Sequence, residues 1–195
     1  ALIDGWSSSP RSDAPARCND NLSKMTAYGL KAPIEVYEQV FRVWVQSGSA
    51  RMTESLADLR RDMEGAGIAM SQSCYDSYAA AISLNEDRMK APVLLDALVR
   101  EIEMLSFDPT VTNMNLALAL AKQRQSGAAE RAEEVLWRLE SRANDDGSPA
   151  SSRDKQQAKE MGNIYEGIIS AWTYENEAHR AELLLKRYMS HYAHT

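Results

Sequence analysis

Cysteine is scarce in this 195-residue chain, which has only Cys18 and Cys74. There is no Cys-x-x-Cys pair for a redox or zinc motif. Both residues read as free thiols and identify no redox compartment. Histidine is nearly as rare, with His179, His191 and His194. His-Glu-x-x-His, Gly-x-Ser-x-Gly and the phosphate-binding glycine loop are all missing, which removes the common signatures of metallohydrolases, serine hydrolases and nucleotide-binding enzymes. His191 and His194 stand three apart near the end of the last expected helix. They read as solvent-facing groups suited to a helix C-terminus, not as metal ligands. No catalytic, cofactor or metal site is expected, and the chain reads as a non-enzyme.

Long apolar runs are absent too. None approaches the roughly 18–20 residues that span a bilayer. Positive charge is in deficit, with 22 Lys and Arg against 28 Asp and Glu and a net charge of −6. Phosphate neutralisation by cations supplies much of nucleic-acid affinity, so this balance weighs against such a ligand. Acidic clusters such as Glu101-x-Glu103 and Glu133-Glu134 read as solvated helix faces. The chain begins Ala1-Leu2-Ile3 without Met, as a processed product does. Any targeting segment is therefore expected to have been removed already.

What the chain does have is repetition. Val36-Tyr37-Glu38-Gln39-Val40-Phe41-Arg42-Val43-Trp44 and Ile164-Tyr165-Glu166-Gly167-Ile168-Ile169-Ser170-Ala171-Trp172 share one pattern. Tyr37 to Tyr75 is 38 residues, and Tyr75 to Asn113 is 38 again. Asn113 to Tyr165 is 52, an excess of 14 that falls mostly in the polar stretch Asn144–Ser152. Seven residues after each anchor stands Trp44, Ile82, Leu120 or Trp172. Second helices align as Leu56-Leu59-Met63, Leu95-Leu98-Ile102, Ala132-Val135-Leu139 and Ala181-Leu184-Tyr188, all spaced i, i+3, i+7. A fixed period of this length marks a repeat architecture.

The expected fold is therefore all-α. It is an α-solenoid of about four antiparallel helix pairs with a 38-residue unit, over residues 33–70, 71–108, 109–143 and 155–192. A loop is expected over 144–154. Residues 1–31 are expected to form an irregular arm, because Ser7–Pro15 is polar, Pro-bearing and aperiodic. Within the arm, Leu22, Met25 and Tyr28 allow one helical turn. Trp6 and Trp137 fall off the repeat phase and are candidate anchors for a protein partner.

The unit resembles the pentatricopeptide repeat, a helix pair slightly longer than the tetratricopeptide repeat. The first copy carries the resemblance best, through Tyr37, Trp44, Ser47-Gly48, Leu56, Leu59, Met63 and Gly67-Ile68. The stretch Ala129–Leu136 resembles helical-repeat proteins of algal and diatom type. The resemblance implies an organellar protein, of chloroplast or mitochondrion, that binds single-stranded RNA one base per repeat. It also implies which residues would read the bases: Gln39 with Gln72, Ser77 with Thr110, Asn115 with Gly162, and Gly167 unpaired. Val36, Cys74, Thr112 and Ile164 would sandwich them. None of these pairs has the family's usual Asp or Asn partner, and the first helices offer few cations. The leading expectation is accordingly a scaffold or accessory subunit that binds another protein within a larger assembly, with RNA binding as the alternative.

Overall fold

The computed structural model describes the backbone of residues 13–145 and 152–192, and side chains over 13–142 and 159–190. Nine α-helices occupy these residues, and no strand is present among them. The chain divides into two compact units, Ala1–Glu86 and Asp87–Thr195.

The first unit holds α1 (Ala14–Ala27), α2 (Ile34–Ser47), α3 (Met52–Gly65) and α4 (Gln72–Asn85). α2 packs on α1, α3 and α4, and α3 also packs on α4. Tyr37, Val40, Phe41 and Trp44 of α2 are buried with Leu56, Leu59 and Met63 of α3 and Tyr75, Ala79 and Ile82 of α4. Local chemistry sets the ends. Gly48 takes φ +60° after α2, a left-handed stop that glycine adopts at little steric cost. Ser71 accepts the Cys74 N–H at 3.4 Å to open α4. It also donates to Glu38 of α2, which ties the start of α4 beside the start of α2. Thr53 near the start of α3 donates to the Ala81 carbonyl near the end of α4 at 3.3 Å, so α3 and α4 run antiparallel.

The second unit holds α5 (Lys90–Met104), α6 (Thr110–Ala121), α7 (Ala128–Asp145), α8 (Ser152–Tyr174) and α9 (Ala178–Tyr192). Its first four helices repeat the same pairing. α6 packs on α5, α7 and α8, α7 packs on α8, and α9 is added on α8. α6 is apolar nearly all round, with Leu116, Ala117, Ala119 and Leu120 buried, as befits a helix enclosed by three others. Asp108 accepts the Thr110 N–H at 3.0 Å and so opens α6. Asn176 (φ +61°) stops α8.

Two expectations change. The arm expected over 1–31 is helical from 14 to 27. Ala14, Cys18 and Leu22 recur every four residues and are buried, and Pro15 sits in the first turn, where its missing N–H has no intrahelical partner to lose. The Ser- and Pro-rich composition around this segment masks the stripe. Moreover, α1 keeps the repeat register. Cys18 stands 38 residues before Leu56, and Gly29 stands 38 before Gly67. Gly29 and Gly67 both adopt positive φ, and Leu30 and Ile68 each donate five residues back into their helix, at 2.9 and 2.8 Å. α1 thus keeps the register of the second helices of the repeat. Secondly, α7 reaches Asp145 and α8 begins at Ser152, so helix replaces both ends of the loop expected over 144–154. The remainder of that loop and Trp6 lie outside the described residues.

Candidate functional site

Among the described residues no group of three His, Cys, Asp or Glu side chains converges as a metal site would. Both cysteines are buried, and burial pushes each thiol above its ordinary value of 9.0. A thiol held protonated is a poor nucleophile. The N-terminus of α7 is a natural anion site, but Glu175 fills it, accepting from the Gly127 and Ala129 N–H groups at 3.0 and 3.1 Å. That carboxylate occupies the donors that a phosphate would need.

The residues implied as base readers scatter by environment. Cys74, Thr112 and Ile164 have no exposed surface, so no base can stack on them in this fold. Val36 is partly exposed. Gln39, Ser77 and Asn115 are also partly exposed, and Asn115 spends its amide on the Val111 carbonyl at 2.9 Å. Gln72 donates to Asp76 at 2.9 Å, and Thr110 to Asp108 at 2.7 Å. A methyl on Gly167 would lie 3.5 Å from Ala121 Cβ, so this glycine marks where α8 meets α6. Gly162 faces the Tyr188 hydroxyl, 3.2 Å from where its Cβ would be.

The feature that does gather side chains is the last helix pair. α8 and α9 enclose an open, largely apolar groove of about 590 Å³, with Gly162, Tyr165, Ile169, Leu185 and Tyr188 in its walls and Lys159 and Glu166 at its edge. Tyr165 and Tyr188 meet with ring centroids 5.2 Å apart. Behind them lies a buried polar knot, in which Glu140 of α7 accepts from the Tyr165 hydroxyl and the Arg187 guanidinium. Arg187 also covers one face of Trp137 at 3.5 Å from the ring centroid, and the indole remains 50% exposed. Trp137, singled out for being off phase, is therefore already partnered on one side and open on the other.

Repeat positions show why the groove is open. Leu136 of α7 and Leu185 of α9 occupy the same register position. Leu136 is 1% exposed and Leu185 is 44% exposed. α8 packs on α7, whereas no described helix beyond α9 covers Leu185. Sequence reading missed this groove although α9 carries a signal. In Leu183-Leu184-Leu185, with Met189 four beyond Leu185, the apolar arc is wider than one buried face needs.

No helix of the described residues is long and apolar enough to cross a membrane. No protein family's sequence pattern matches the chain, and no curated protein matches it.

Proposed function

We propose that the chain is a non-enzymatic helical-repeat scaffold that binds another protein through the outer face of α8–α9. The observation that carries this reading is the apolar groove with Leu185 and Ile169 in its walls and Met189 exposed one turn beyond Leu185 on α9. Clustered apolar side chains at a protein surface mark interaction sites. In this reading each unit is a short segment of α-solenoid, resembling pentatricopeptide repeats, within an organellar assembly. The repeated stacking of first helix on first helix, α2 with α4 and α6 with α8, supports that architecture.

Affinity purification from the native source, followed by mass spectrometry, tests it. A defined protein in near-stoichiometric amount is expected with the wild-type chain and should be lost with Leu185→Glu. Retention of that protein by the variant would remove the groove from the reading. Recovery of stoichiometric RNA with no protein would replace the reading altogether.

A further inference from the structure

The way the chain covers its own helix pairs specifies what should cover the last one. α4 packs on both α2 and α3, and α8 packs on both α6 and α7. Each is a first helix laid over the preceding pair. The contact surface beneath α8 includes Leu118 and Ala121 of α6, which lie 3.8 and 3.5 Å from the Cβ position of Gly167. In repeat register, Leu118 corresponds to Ser170, Ala117 to Ile169 and Leu136 to Leu185. Ser170, Ile169 and Leu185 are all in the walls of the open groove. The groove thus offers, one repeat later, the surface that α8 occupies.

A second regularity concerns the indoles. Trp172 of α8 donates its N–H to Glu133 of α7 at 2.9 Å. Trp44 of α2 donates to Asn19 of α1 at 3.1 Å. The separations are 39 and 25 residues, which differ by the 14-residue insertion, so Asn19 and Glu133 share one register position. The same position in α9 is Glu182. It is exposed and pairs with Lys186 of its own helix at 2.6 Å. That hydrogen bond holds its carboxyl below the usual range, so it is an ionised acceptor.

We propose that the outer face of α8–α9 seats an amphipathic helix of a partner protein, with its apolar stripe over Ile169, Leu185 and Tyr188 and an indole N–H donated to Glu182. The inference rests on the scaffold reading above and names its partner by chemistry. The chain's own Tyr-to-Trp helices argue against a second copy as the occupant. The two helices with the required Tyr-to-Trp face, α2 and α8, have both indoles engaged and their aromatic faces buried.

The probe is a fluorescent peptide of residues 33–48, stapled between the outward positions Arg42 and Gln46, titrated by anisotropy against the full chain. Saturable one-to-one binding is expected. Leu185→Glu and Ile169→Glu in the chain should each weaken it at least tenfold, while Leu183→Glu, also exposed on α9 but outside the groove walls, should not. Glu182→Ala should weaken it several-fold, with no further loss when Trp44 of the peptide is Phe. Circular dichroism checks that each variant is folded. Absence of peptide binding, or binding indifferent to both Leu185→Glu and Ile169→Glu, overturns the proposal. So does concentration-dependent dimerisation abolished by Leu185→Glu, which would assign the face to a second copy. If the peptide fails while the native partner is still lost with Leu185→Glu, the helix mode falls and the scaffold reading survives.

Discussion

Buried polar side chains carry the sharpest energetic consequences here. Thr112 Oγ1 and Asn113 Oδ1 are buried without a hydrogen-bond partner among the described residues. Asn113 stands where the other three repeats carry Tyr, so the third repeat gives up an aromatic anchor for an amide whose oxygen is left unmatched. A buried hydroxyl without a partner loses its hydration and gains nothing. Thr112→Val removes it at nearly constant shape and is expected to stabilise the second unit by about 1 kcal/mol. For a chain of this size that raises the melting temperature by roughly 2–4 °C in differential scanning calorimetry; an unchanged or lower value would show that the hydroxyl is satisfied in solution. Glu140 is the opposite case, because both its oxygens are engaged, by Tyr165 and Arg187. Arg187→Ala leaves that carboxylate buried beside a lone phenol and is expected to cost about 2 kcal/mol. The urea midpoint followed by circular dichroism measures it. Adding Glu140→Gln should recover part of the loss, since a neutral amide is less costly to leave unpaired. Failure to recover would mean that the arginine acts through its packing on Trp137.

Helices were legible in this chain wherever an apolar stripe was uninterrupted by composition bias. The triplets at Leu56, Leu95 and Ala132 predict buried second-helix faces, and all nine side chains are buried. The fourth triplet departs at Tyr188, which is only partly covered. Periodicity identifies the face but not whether another helix covers it. α1 escaped detection for a different reason: its stripe of Ala14, Cys18 and Leu22 is weak in hydrophobicity and follows a polar, Pro-bearing run. The groove is not legible in the sequence because it depends on which helices lie beside it in space, not on the apolar pattern of either helix. The docking of α1 can be tested through the long-range hydrogen bond between Asn19 and Trp44. Asn19→Ala leaves the Trp44 indole without its acceptor and should cost about 1 kcal/mol. Loosening α1 should also expose Cys18, whose thiol reacts only on opening. Faster labelling of Cys18 than of Cys74 by a thiol reagent is the expected signature. Equal acceleration at both would indicate that α1 opens only with the rest of its unit.

Charge across the molecule weighs against an RNA ligand. A strand tracking four repeats would bring several phosphates, each calling for a cation. The chain instead carries a net −6. Several of its arginines are engaged with acidic neighbours, as in Arg60 with Glu64, Arg100 with Asp96 and Arg142 with Glu103. Stacking would have to supply the remainder at roughly 1–3 kcal/mol per base. Three of the four residues implied to sandwich bases are sealed in the interior. Opening them would expose core side chains such as Tyr75 and Tyr165, which are their immediate neighbours in sequence. Both the electrostatic and the stacking contributions to a bound strand are thereby reduced. Anisotropy titration with pools of single-stranded RNA should therefore show no saturable binding even at low salt, where phosphate contacts are strongest. Binding that weakens linearly in log salt with a slope of about −2 or steeper would require at least three phosphate contacts on single-stranded RNA. That result would return the repeats to nucleic acid and set aside the groove on α8–α9 as the principal surface.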